Sequence, residues 1–129
     1  MGQGEIIADI SGGGDISCYP HLESLTANLN QYSIKSRLSY TCGKGITDSS
    51  IASRLINNNV EEVSFTIFSS DPKLRKEWVK DPNPEEALKA CQIFCENIKL
   101  TGAAVIIPGV NDGDVLHQTC NSLEEWGAK

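Results

Sequence analysis

The chain has 129 residues, 40% of them apolar, which suffices for one domain around a single core, and 22% charged residues mark an ordinary globular composition rather than a disordered one. A formal charge of −6, with the eleven basic residues scattered, gives no footprint for a nucleic-acid backbone or an anionic bilayer. The longest apolar run, 103–110, is too short to span a membrane, and the first residues carry neither a basic region nor a cleavable apolar stretch, so a cytoplasmic protein with no membrane partner is expected.

The first strand is predicted over 5–11. It runs directly into Gly12-Gly13-Gly14-Asp15, followed by Ser17-Cys18-Tyr19-Pro20. Successive glycines let the backbone take positive φ and approach a ligand closely. The carboxylate of Asp15 would repel a phosphate and suits an amine or a hydroxyl; a tight turn with no ligand is the plain alternative. Leu22, Leu25 and Leu29 form a helical stripe over 21–29. A second strand over 34–41 leads into Tyr40-Thr41-Cys42-Gly43-Lys44-Gly45, and Ile51, Leu55 and Ile56 mark a helix over 49–56. In the third strand, 62–68, Val63, Phe65 and Ile67 face one way and Ser64 and Thr66 the other; Ser69-Ser70-Asp71 follows. Asp71-Pro72 starts a short helix to about residue 79. Asn83 as N-cap, Pro84 at the first position, and Glu85 and Glu86 near the positive dipole end open a helix over 84–98. The fourth strand, 99–107, ends in Pro108-Gly109-Val110-Asn111-Asp112-Gly113, and a helix over 115–126 stops at Gly127.

Strand starts spaced by roughly 30 to 40 residues fit repeated strand-helix units, hence an α/β fold with a parallel sheet and right-handed crossovers. Either an open doubly wound sheet or part of a β/α barrel satisfies this order. Hydroxyls and acids on one strand face, Ser64 with Thr66, Ser39 with Thr41, Asp9 with Ser11, favour a barrel lumen, because helices covering both sides would make both faces apolar. Four strands are half of the eight that close such a barrel, so 1–129 is expected to be the central part of a larger protein. The five cysteines, an odd number without a secretory signal, are expected as free thiols. Cys91 and Cys95 share one helix face, either as two thiolate ligands or as a buried apolar pair, and Cys18, Cys42 and Cys120 form no ligand pattern with them. His21 and His117 are expected on helix surfaces.

At the strand-end loops the sequence resembles the radical S-adenosylmethionine (SAM) enzymes. Gly13-Gly14-Asp15 resembles the family's Gly-Gly-Glu element, Ser64 with Thr66, or Ser69, its ribose-contacting groups, and Ile107, Gly109 and Asp112 its adenine element, in which Val105 stands where the first glycine would be. The resemblance is greater to the methanogenesis marker protein 10 family of arginine methyltransferases. It is carried by 9–20, 40–45, 60–66 and 107–113, together with Asp71-Pro72-Lys73-Leu74-Arg75 and Asp81-Pro82-Asn83-Pro84-Glu85.

That resemblance implies a half β/α barrel of radical SAM type in a protein that uses SAM, a 4Fe-4S cluster and cobalamin to methylate an arginine of the methyl-coenzyme M reductase alpha subunit. It implies cofactor-binding roles for Gly12, Gly13, Gly14, Asp15, Thr41, Ser64, Thr66, Ser69, Ile107, Gly109 and Val110. Tyr19 either reaches the cluster's open iron or the SAM carboxylate, or anchors the helix start beside Pro20. The cluster's Cys-x-x-x-Cys-x-x-Cys motif and the cobalamin-binding part are absent from this sequence, so it is expected to be inactive alone. A stand-alone nucleotide-binding or regulatory half-barrel is the alternative. A metal-independent aldolase or isomerase with Asp15 or Asp112 as base and Lys44 as Schiff-base amine ranks last. Lys44 otherwise contacts a carboxylate or is solvated.

Overall fold

The computed structural model describes residues 6–128, so Glu5, the predicted start of the first strand, lies outside the described residues. Strands and helices alternate: β1 Ile7–Ile10, α1 Leu22–Gln31, β2 Lys35–Thr41, α2 Ile51–Asn57, β3 Val60–Thr66, α3 Pro72–Leu74 widening into a π-helical turn Arg75–Val79, α4 Pro84–Asn97, β4 Lys99–Ala103, and α5 Gly113–Trp126. All neighbouring strands pair in parallel, in the order β1-β2-β3-β4. A doubly wound sheet reverses its strand order at one point. This sheet does not. Crossovers of one hand between sequential neighbours wind the chain in a single direction, which sets the helices on one face and curves the other into a lumen. The fold is therefore α/β, four strands of a partial barrel.

The two faces differ as the strand period demands. Leu38, Val63, Phe65 and Leu100 point to the helices and pack with Leu22, Leu55, Ala87 and Phe94, all almost completely buried. On the uncovered face Asp9, Arg37, Glu62 and Lys99 stand in one row, each in register with the next. Glu62 bridges its neighbours as an ion pair with Arg37 Nε at 3.2 Å and with Lys99 Nζ at 3.4 Å. Cross-strand opposite charges of this kind help to hold the register. Ser64 and Thr66 lie further along the same face of β3, half-buried. Among the described residues no helix is long and apolar enough to cross a membrane.

Several local expectations are corrected. Ser39 and Thr41 do not share a face: β2 is irregular between Leu38, opposite Val63, and Thr41, opposite Phe65, so three steps on β2 match two on β3. This bulge turns Thr41 inward, where it is buried, and leaves Tyr40 73% exposed. Asn83 occupies the N-cap of α4 without a side-chain cap bond; Asp81 Oδ1 instead accepts from Asn83 N at 3.0 Å. β4 ends at Ala103 rather than at 107, because its last ladder bond is Ile67 N to Ala103 O and β3 offers no partner beyond. Asp71 and Gly127 cap as expected, the first accepting from Lys73 N at 2.9 Å, the second at φ 92°. Cys91 and Cys95 are buried in the core on the inner face of α4, and the hydrogen bond between them, with burial, pushes the Cys91 thiol well up. His117 is exposed, and His21 precedes α1, edge-on to the Tyr19 ring with centroids 5.6 Å apart.

Candidate functional site at the strand-end rim

Parallel strands deliver their C-terminal ends to one side, and the loops that follow β1, β2, β3 and β4 form a rim there. Three buried or half-buried polar nodes stitch these loops together.

Asp15 joins the first two. It caps the short 3-10 turn Ile16–Cys18, with Oδ1 accepting from Ser17 N at 3.0 Å and Ser17 Oγ at 2.8 Å. Oδ1 also accepts from Thr41 Oγ1 at 2.6 Å, and Oδ2 accepts from Lys44 N at 3.0 Å. Burial alone would raise its pKa, but these hydrogen bonds, Thr41's foremost, outweigh burial and hold the carboxyl below its ordinary value. The loop therefore keeps a negative charge at neutral pH. Ser17 Oγ completes the join by accepting from Gly45 N at 3.0 Å.

Arg75 joins the second loop to the third. Its side chain is fully buried; Nη1 donates to Ile67 O at 2.6 Å and Thr66 O at 3.3 Å, and Nη2 donates to Cys42 O. Asp81, equally buried, neutralises it: Oδ2 accepts from Nε at 3.1 Å and from Nη2 at 2.8 Å. The guanidinium also lies 5.6 Å from the Phe65 ring centroid. A buried ion pair of this kind is sustained only when its remaining donors are satisfied, as they are here by strand-end carbonyls.

Asn111 joins the third loop to the fourth. Fully buried, it donates from Nδ2 to Phe68 O at 3.0 Å and Val105 O at 2.9 Å and accepts from Ile107 N at 2.7 Å. Phe68, at φ 61°, takes a backbone conformation that non-glycine residues rarely adopt, and this bond helps to hold it. Ser70 N donates to Thr119 Oγ1 of α5 at 3.0 Å.

Each residue singled out in the sequence can now be located. Gly12, Gly13, Gly14, Asp15 and Thr41 come together at the first node. None of the three glycines takes the positive φ that glycine permits, so the run is not explained by left-handed backbone. A Cβ at Gly13 or Gly14 would meet nothing within 4 Å, and one at Gly12 only Ile16 Cγ2 at 4.0 Å. The space is open. Beside it lies a cavity of about 570 Å³ whose wall includes Ser11, Gly14, Asp15, Cys18 and the 48% exposed Tyr19. Ser64 and Thr66 look into the lumen, whereas Ser69 is fully buried with Oγ accepting from Asp71 N at 3.0 Å. Ile107, Gly109 and Val110 sit in the turn before α5, where Gly109, at φ 80°, donates to Asp112 Oδ1 at 3.0 Å. Among the described residues no hydrogen bond joins this turn to the glycine loop.

The nodes themselves were largely missed in the sequence. Arg75, Asp81 and Asn111 each lie in strings that look like helix starts or turns. Arg75 and Asn111 reach backbone carbonyls up to 43 positions away, a distance no local pattern spans, and Asp81 pairs with Arg75. The one available signal is an arginine six positions before an aspartate, which in sequence is indistinguishable from a solvated pair.

The family model described as the Radical SAM superfamily matches residues 3–117. No curated protein matches the chain. The match spans all four strands and all four rim loops, and single-direction winding with a polar inner face is what a barrel of that kind requires. By this match and this winding, the chain belongs to the radical SAM superfamily.

Proposed function

We propose that this chain supplies the SAM-binding rim of a radical SAM enzyme, and that the enzyme is the cytoplasmic, cobalamin-dependent arginine C-methyltransferase its sequence resembles, with the methyl-coenzyme M reductase alpha subunit as substrate. The observation that carries the proposal is the open space over Gly13 and Gly14 beside an anionic carboxylate. Among the described residues Asp15 Oδ2 accepts only from Lys44 N, which leaves a lone pair for the amino group of SAM. Thr41 acts through Asp15, to which its hydroxyl donates. Ser64 and Thr66 offer hydroxyls to the ribose, Ser69 braces the β3 loop behind them, and Ile107, Gly109 and Val110 supply a wall for the adenine. The cavity of about 570 Å³ beside Asp15, lined from Ile10 to Leu25, offers room for the methionyl end, and the residues proposed for the ribose and adenine lie outside its wall.

The family uses a 4Fe-4S cluster, which supplies the electron that cleaves SAM and needs three thiolates. The described residues do not fit it. Cys91 and Cys95 are in the core, and no group of three His, Cys, Asp or Glu side chains among the described residues could hold a metal. Tyr19, at the mouth of the cavity, would approach a cluster held by other residues. What these residues do themselves is bind and orient the nucleoside, and fix the charge that meets its amine. The second reading is a nucleotide-binding or regulatory half-barrel without catalysis, which the same rim and cavity would serve.

Equilibrium dialysis of this chain with SAM tests the rim, and mass spectrometry of an arginine-containing peptide incubated with SAM, methylcobalamin, a low-potential reductant and a form of the protein extended to carry the three cluster thiolates separates the possibilities. Binding with a new methyl group on the arginine carbon supports the methyltransferase. Binding without transfer supports the regulatory half-barrel, and absence of binding sinks both.

A further inference from the structure

β2 carries one residue more than its pairing needs, and the surplus falls on the lumen. Leu38 stands opposite Val63 and Thr41 opposite Phe65, so Ser39 and Tyr40 together face the single position Ser64. The residues that flank this pair point to the helices: Leu38 and Thr41 line one small void there with Leu22, Leu55 and Phe94. Ser39 points the other way, since its hydroxyl donates to Asp9 of the uncovered face. At 73% exposure Tyr40 does not lie beneath α1 and α2, so its side chain also stands on the uncovered face. A regular strand would put one side chain at this level; the bulge puts two and aims the larger into open space.

The surroundings of Tyr40 limit what it can hold. The charged row nearer the strand starts is matched within itself, Glu62 pairing with Arg37 and Lys99 while Asp9 accepts from Ser39. At the level of Tyr40 stand neutral hydroxyls, Ser64 and, in register with it on β4, Thr101. Among the described residues the Tyr40 ring contacts no other aromatic ring and no cation, although the Tyr19 and Phe65 rings each have such a neighbour. Its face is left for a ligand.

We infer that Tyr40 is the platform on which the guanidinium of the substrate arginine lies, a specificity-determining contact. The inference rests on the methyltransferase reading above and names the residue that recognises its substrate. The carbon to be methylated has to meet the ribose end of the nucleoside, and Ser64, proposed for the ribose, is the residue that Tyr40 opposes. A planar cation gains from the negative face of a phenol ring, and the neighbouring hydroxyls can accept from its N–H groups.

Fluorescence anisotropy tests it, with a labelled peptide carrying one arginine and its citrulline counterpart, which keeps the shape and loses the charge. Both are titrated in the presence of SAM against the unaltered chain, Tyr40→Leu and Tyr40→Phe, and SAM affinity is measured on each. The unaltered chain should prefer the arginine peptide by about threefold to thirtyfold, the range that one cation–π contact supplies. Tyr40→Leu should erase that preference with SAM affinity unchanged, and Tyr40→Phe should keep it. A preference that survives in Tyr40→Leu, equal weakening of both peptides, or an accompanying loss of SAM affinity overturns the role of Tyr40 and leaves the methyltransferase reading standing. If the unaltered chain binds SAM but does not distinguish the two peptides, the arginine reading fails and this inference with it.

Discussion

Two glycine-rich loops lie side by side on the rim, and they use glycine for opposite reasons. In the loop after β2, Gly43 and Gly45 answer steric demands, since any side chain there would strike Phe65 or the Ser17 carbonyl. In the loop after β1, Gly13 and Gly14 answer none, since a Cβ would point into open space and the backbone is not left-handed. Glycine in a folded loop lowers stability relative to alanine wherever alanine fits, because it has more freedom to lose. A run that the fold does not need, beside an anionic carboxylate and a cavity, is best explained by a ligand that needs the room.

The contrast can be broken first at its scaffold. Arg75→Met leaves Asp81 buried without its partner and strips Cys42 O, Thr66 O and Ile67 O of a donor, so a loss of about 3–5 kcal/mol in urea unfolding is expected. A loss below about 1 kcal/mol would mean that the β2 loop is not held from below. Gly45→Ala comes next: overpacking against backbone that cannot yield should cost about 2–3 kcal/mol, and a neutral result would remove the steric half of the comparison. Asp15→Asn is smaller, about 1–3 kcal/mol, because an amide can still accept but sets donor against donor at Lys44 N or the Oδ1 cluster.

The pH dependence of Asp15 has a definite sign. Its pKa is lowered by folding from an ordinary 3.8, so the unfolded chain takes up the proton first as pH falls. The stability that the group contributes is present above that ordinary value and lost as pH drops through the lower folded one. The urea midpoint of the unaltered protein should therefore fall more steeply than that of Asp15→Asn between about pH 5 and about pH 2. Parallel acid limbs would show that the hydrogen bonds around Asp15 do not favour its charge.

Much of the architecture was readable because it depends on short periods. The alternation of Val63 and Phe65 against Ser64 and Thr66 fixes both faces of β3, and the spacing of strands fixes a parallel order. The bulge that separates Ser39 from Thr41 was not readable, since it is set by pairing with β3 rather than by β2's own residues. The site divided in the same way. The glycine run and Asp15 were visible as a motif, but the carboxylate's engagement by Thr41 and Lys44 depends on a neighbouring loop, as do the carbonyls gathered by Arg75 and Asn111. Sequence pattern reports what a segment does with itself, and the rim is made of what segments do with each other.

The central claim is that the glycines after β1 are there for a ligand and not for the fold. Replacing Gly13 and Gly14 together by alanine, and measuring unfolding free energy and SAM affinity on the same preparation, tests it most directly. The account predicts stability unchanged or raised by up to about 2 kcal/mol, and SAM affinity reduced about tenfold or more. A clear loss of stability, or SAM binding at the unaltered affinity, would contradict it.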